Sequence, residues 1–380
     1  MNLLEKLWDT GAHIVPLLIV LLIVVFVHEM GHFLIARYNG VHVTTFSVGY
    51  GSELCGWTDK KGTRWRLSSL PLGGYIMMLG DADATSVKAD ANVSQNDASR
   101  TLHAKTPLQQ IMVAFGGPLF NLLFTIFVII GVGMWQGLPE MVPLVNKISE
   151  HSVASKCGLQ PDDLITGIGN DAIATASDLH KLLKQYKGTD TTIRFKRAGK
   201  EQSAPIALYE QKDGKVVPVT MLGVMLNGDV TYKPTTMWNA VNAAVKYCYL
   251  SAKGIIHGVE NKICGNKDGL QLGSVFSIGA GANKSLANGC TSFLTYMAML
   301  SFSLAFFNLL PIPVLDGGKI LLCSIEWIIR RPLSSAVINV VYTIGFGLVG
   351  TLMLLALWND IERFNFVNKT IQFFSTLLRR

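Results

Sequence analysis

The chain has 380 residues, a formal net charge of +7 and 49% hydrophobic residues, and only 16% of its residues are charged. A soluble domain carries nearer a quarter charged residues, so this composition excludes an ordinary soluble enzyme and points to a membrane protein. No basic block with interleaved aromatics occurs in the sequence, which leaves nucleic-acid binding without support.

Four segments are long and apolar enough to cross a bilayer, which takes about 20 residues. The first, from Gly11 to Arg37 within residues 1–38, contains an uncharged stretch from Ile14 to Val27. That stretch is too long for the core of a cleavable leader and is expected to stay in the protein. Inside the span stands His28-Glu29-Met30-Gly31-His32. Two histidines and a carboxylate at bilayer depth are expensive in lipid and need a reason to be there. Residues i and i+4 share a helix face, so both imidazoles reach one Zn²⁺ and the neighbouring Glu can act as base. The competing reading is a polar patch hydrogen-bonded to neighbouring helices.

Residues 39–107 read as a polar loop. Val41–Val48, Thr63–Leu67 and Leu70–Met78 are strand-like, with a turn at Asp59-Lys60-Lys61-Gly62, and 81–105 reads as a flexible loop. The second span, 108–135, carries Phe115-Gly116-Gly117-Pro118-Leu119-Phe120-Asn121. Small residues let helices approach closely and Asn121 is an amide at membrane depth, so a helix-packing motif explains the segment as well as a site does. Residues 136–228 read as a small α+β domain, with a short helix at Ser152–Leu159, a strand at Asp163–Ile168, an amphipathic helix at Ala176–Tyr186 and a strand at Thr191–Arg197.

In 229–292 an amphipathic helix over Thr236–Ile263 suits the membrane interface, and Gly273–Gly281 reads as a turn-rich loop. The third span, Phe293–Leu315 within 293–320, ends in Asn308-Leu309-Leu310-Pro311-Ile312-Pro313-Val314-Leu315-Asp316-Gly317-Gly318. Pro311 and Pro313 break the helix, and freed backbone groups are tolerated at that depth only where they line a cavity. A catalytic zinc needs three protein ligands and an open position. Asp316 is the candidate third ligand, the alternative being a helix-end carboxylate at the interface. A loop at 321–335, a fourth span at 336–358 and a tail at 359–380 complete the chain. The basic loops, 39–107 and 321–335, are expected in the cytoplasm, with the long region between the second and third spans and both termini outside. None of the six cysteines forms a Cys-x-x-Cys pair. Cys264 and Cys290 could pair in an oxidising compartment, and unpaired thiols are the alternative.

The motifs His28-Glu29-x-x-His32, Gly117-x-x-x-Asn121 and Asn308-x-x-Pro311-x-Pro313-x-Leu315-Asp316-Gly317, in that order, resemble the site-2 protease family of intramembrane zinc metalloproteases over nearly the whole chain. The resemblance implies a polytopic α-helical membrane protein with four transmembrane helices, a membrane-reentrant β-loop and an inserted α+β PDZ-like domain. It implies Zn²⁺ on His28, His32 and Asp316, with Glu29 as base. Asn121, Asn308, Gly73, Gly74, Tyr75, Pro311 and Pro313 would contact substrate. The implied activity is cleavage of single-span membrane proteins within the bacterial inner membrane, with an anti-sigma factor or signal-peptide remnants as substrates, in a sigma-E type stress response. Membrane lipids surround such an enzyme, and its periplasmic PDZ domain would bind a peptide or exclude bulky substrates. The chain departs from the family pattern in having room for one PDZ domain, in Asp162 where a Gly is usual, and in Ser274-Val275 where a Gly-Pro is usual. A catalytically silent membrane scaffold and a metal transporter are the competing classes.

Overall fold

A computed structural model of the chain describes residues 3–81, 97–149, 152–212, 215–218, 221–226, 230–264 and 274–363. Most of the expected flexible loop, 82–96, and the tail beyond 363 lie outside the described residues. The chain divides into two compact units, Met1–Gly131 with Val241–Arg380, and Val132–Ala240.

In the first unit, helix α1 (Leu3–Tyr38) runs unbroken through the His-Glu-x-x-His segment. Strands β1 (Val43–Thr58) and β2 (Arg64–Met78) follow as a hairpin. Asp59 closes its turn by accepting the amides of Lys61 and Thr63, and pairs with Arg37 at the end of α1 at 2.6 Å. The hairpin curls on itself. Phe46, Ser47 and Val48 lie beside Trp65, Arg66 and Leu67 on one side and beside Ile76, Tyr75 and Gly74 on the other. The β2 segment from Gly74 to Met78 therefore has a partner on one edge only, among the described residues. Apolar side chains fix the hairpin to α1. Phe33 packs edge-on against Phe46 and Trp65, with ring centroids 5.5 and 5.0 Å away, over a core of Val41, Val43, Ile76 and Met78. Helix α2 (Pro107–Gln136) starts with Pro at a position that needs no N–H. Thr106 and Gln109 cap that start reciprocally. A Cβ at Gly31 of α1 would run into the Gly116 carbonyl of α2, and one at Gly116 into Gly31, so only a glycine pair permits this backbone approach.

The second unit is an α+β domain. Strands β3 (Leu138–Met141), β4 (Val145–Ile148), β5 (Leu164–Ile168) and β6 (Asp171–Ala172) and the short helix α3 (Val153–Lys156) precede helix α4 (Ala176–Gln185). Strands β7 (Asp190–Arg197), β8 (Lys200–Ala207), β9 (Tyr209–Lys212), β10 (Lys215–Pro218), β11 (Val224–Leu226) and β12 (Val230–Lys233) follow. The main sheet has the order β6-β5-β7-β8, and β11 pairs with β4. Strand β12 pairs with β3, so the unit closes later than residue 228. Its core gathers Val145, Ile165, Ile168, Leu179, Leu183, Ile193 and Phe195. Thr175 and Asp178 form a capping box on α4. The fully buried Asp163 carboxylate takes both Arg197 nitrogens at 2.8 and 2.7 Å and the Gln160 amide at 2.7 Å.

The helices that follow are α5 (Met237–Ile263), α6 (Val275–Ala287), α7 (Cys290–Asn308), α8 (Asp316–Ile329) and α9 (Ser335–Arg363). Among the described residues, four helical segments are long and apolar enough to cross a membrane: Ile14–Tyr38, Pro107–Gln136, Cys290–Asn308 and Ala336–Ile361. Three sequence expectations change here. The turn-rich loop expected at Gly273–Gly281 is helical from Val275: Ser274 caps it, Asp360 of α9 accepts from Ser274 and Ser277, and its glycines serve packing, Gly279 lying against Leu17 of α1. The third span ends at Asn308 instead of continuing to Leu315, because Pro311 and Pro313 cannot extend it. The loop expected at 321–335 is mostly helix α8. Cys264 and Cys290 are both exposed, free thiols.

Candidate metal centre

The break between α7 and α8 delivers Asp316 at the first position of α8. A side chain at Gly317 would strike the Leu309 and Leu310 carbonyls, and one at Gly318 the Ile312 carbonyl, so the Gly-Gly pair lets the chain double back tightly. Val314, two residues before Asp316, sits at φ +90°, a left-handed conformation that β-branched residues rarely adopt.

His28 and His32 stand one turn apart on α1 with their rings edge to face, centroids 4.8 Å apart. Their Nε2 atoms lie 3.2 Å from each other, and 3.1 and 3.4 Å from Asp316 Oδ2. Ligands about 2.0–2.1 Å from a tetrahedral Zn²⁺ stand roughly 3.3–3.4 Å from one another, so the three atoms fit three corners of such a site. These residues form the one group of three metal-ligating side chains among the described residues. Helix α2 supports the ring nitrogens that face away from the ligand atoms. His32 Nδ1 lies 2.8 Å from the Val113 carbonyl, and His28 Nδ1 lies 3.2 Å from the Asn121 amide. A Cβ at Gly117 would collide with both imidazoles, so the absent side chain makes room for the pair.

The three candidate ligands open onto a cavity of about 520 Å³ lined also by Glu29, Tyr50, Gly73, Gly74, Tyr75 and Asn308. The sequence candidates thus divide. Gly73, Gly74 and Tyr75 line the cavity, with Gly74 packed beside the Glu29 side chain and Tyr75 stacked on Tyr50 at 5.6 Å. Asn308 lies 3.3 Å from His28 Nε2. Asn121 is fully buried behind His28. Pro311 and Pro313 lie in the helix break, the Pro313 carbonyl packed where only Gly345 of α9 leaves space. Sequence reasoning missed Lys319, which lines the cavity one turn beyond Asp316 on α8, a spacing that could have revealed it. It also missed Tyr50 and the Val113 carbonyl, and a backbone carbonyl leaves no trace in residue identity.

The family model described as Peptidase family M50 matches residues 16–352. A relative from Mesorhizobium japonicum is 35% identical over 362 residues, covering 92% of this chain and 98% of that protein. One from Brucella suis biovar 1 is 33% identical over 366 residues, covering 92% of this chain and 94% of its own length. One from Campylobacter jejuni is 33% identical over 349 residues, covering 91% of this chain and 92% of its own length. All three carry the name "Putative zinc metalloprotease". Among solved structures, the PDZ domain of the SdrC-like protein from Listeria monocytogenes matches 23% of this chain and 87% of its own, at 25% identity and a TM-score of 0.19. With the family model spanning His28, His32 and Asp316 and the relatives matched over nearly their whole length, the chain belongs to Peptidase family M50, the site-2 protease family, and is a multi-pass membrane zinc metalloprotease.

Proposed function

We propose that the chain cuts single-span membrane proteins inside the bilayer, using His28, His32 and Asp316 as zinc ligands and Glu29 as general base. The observation that carries this is the shared cavity: the three converging ligand atoms, Glu29 and the one-sided Gly74–Met78 strand edge all border it. When bound, Zn²⁺ brings the pKa of a coordinated water towards neutral and polarises a carbonyl. Glu29 takes the proton from the attacking water and passes it to the leaving amine. A transmembrane helix hides its peptide bonds, so the substrate must unwind. The free β2 edge holds it extended by strand addition beside Glu29. With His28 Nε2 committed to holding the zinc, the Asn308 N–H₂ group, 3.3 Å from it, would be free to bond the substrate backbone.

Anti-sigma factors and signal-peptide remnants are the substrate classes this reading favours, both being single apolar spans. Basic loops at 39–107 and 321–335 support a bacterial inner-membrane orientation with the α+β unit in the periplasm. That unit is read as a PDZ domain, on its small sheet and the helix α4, and as the part that meets a substrate's outer segment. We expect Glu29→Gln to abolish cleavage of a single-span substrate while zinc content stays near wild type, and Asp316→Asn to lose zinc as well. Full activity in Glu29→Gln, or unchanged zinc in Asp316→Asn, would overturn the assignment.

A further inference from the structure

Asn121 carries an unexplained feature. Its side chain is fully buried, its Nδ2 lies 3.2 Å from His28 Nδ1, and its Oδ1 has no hydrogen-bond partner. The ligand atom of His28 is Nε2, which points at His32 Nε2 and Asp316. A neutral imidazole that offers its Nε2 lone pair to a metal carries its proton on Nδ1. Two N–H groups cannot bond each other. A half-turn of the amide exchanges its oxygen and nitrogen in place, and then Oδ1 accepts the Nδ1–H.

We propose that Asn121 is a positioning residue for the metal centre: its amide oxygen accepts the Nδ1–H of His28 and fixes that ring's tautomer and orientation. This inference rests on the zinc-protease reading, and it moves Asn121 from substrate contact to metal support. Helix α2 then serves both histidines alike, the Val113 carbonyl accepting from His32 and Asn121 from His28. Asn121 is itself held. Its backbone carbonyl receives Thr125 Oγ1 at 2.9 Å and Ser301 Oγ of α7 at 3.1 Å, and all three residues are fully buried. The position has no exposure through which a substrate could reach it.

The test uses the full-length protein in detergent, as wild type, Asn121→Leu and Asn121→Asp. Zinc affinity is read by competition with a chelator, and the metal geometry by the absorption spectrum of the Co²⁺-substituted protein. Loss of such a support costs a metal site about 10–100-fold in affinity, so Asn121→Leu should weaken zinc binding by that factor and alter the Co²⁺ bands. Asn121→Asp keeps an acceptor and should bind zinc within about threefold of wild type, or more tightly. A Leu variant with wild-type affinity and spectrum overturns the inference. So does an Asp variant that binds as weakly as Leu, which would show that the amide acts as a donor. If the Leu variant fails to fold, the Asp variant decides alone by the same criterion. A wild-type protein that binds no zinc defeats the protease reading itself, an outcome separate from either variant's behaviour.

Discussion

Gly117 has no side chain, and the metal centre depends on that. A Cβ there would overlap His32 Nε2 and come within 2.7 Å of His28 Cε1. We expect Gly117→Ala to push the imidazoles off their positions, lowering zinc content and cutting turnover by about 100-fold, the scale of a 1 Å misplacement; a variant with normal zinc and normal rates would show that the rings have room. At this scale the sequence was most informative where chemistry is costly. His28, Glu29 and His32 stood out because polar groups in an apolar span demand a partner. Asn121 stood out for the same reason, but its partner did not, since nothing in the sequence pairs it with a residue 93 positions away. Val113 was invisible, because it acts through its carbonyl.

Among the elements, those with periodicity and turn chemistry read clearly. The hairpin turn at Asp59–Gly62 lies where its turn residues and the alternation after it place it, and helix α4 lies where its apolar face does. Helices α6 and α8 were obscured. Glycine-rich α6 mimics a loop until its packing against α1 is known, and α8 follows two prolines that suggest an ending. Asp163 ties the start of β5 to Arg197 at the end of β7. Desolvation raises the Asp163 pKa, but the Arg197 hydrogen bonds, the Gln160 amide and the Arg197 charge outweigh it and hold the carboxyl below its usual range. A depressed folded pKa means the pair's stabilisation is present above the unfolded value, about 3.9, and fades as pH falls through the folded one. We expect Asp163→Asn to destabilise the α+β unit by about 1.5–3 kcal/mol at pH 7, read by hydrogen exchange in the full chain. The difference from wild type should shrink below pH 4. A gap that stays constant down to pH 2 would contradict the pair's role.

At the scale of the molecule, the proposed orientation rests on keeping the basic loops in the cytoplasm. A cysteine placed at Lys60, in the hairpin turn of a variant lacking the native cysteines, should react with an impermeant thiol reagent only after the cytoplasmic side is opened. Labelling in intact cells would reverse the topology. The four apolar spans and the family were legible at this scale because a bilayer leaves few options for a chain this apolar. The two histidines and Asp316 lie near opposite ends of the sequence. A ribosome adds about 5–20 residues per second, so the histidine helix enters the bilayer roughly a quarter of a minute to a minute before the aspartate exists. During that interval the proposed site has two ligands without the third, and hydrolysis is not yet possible. If its substrates are the single apolar helices proposed above, the enzyme is harmless while it shares the insertion machinery with them, and acquires its activity only once Asp316 has been made.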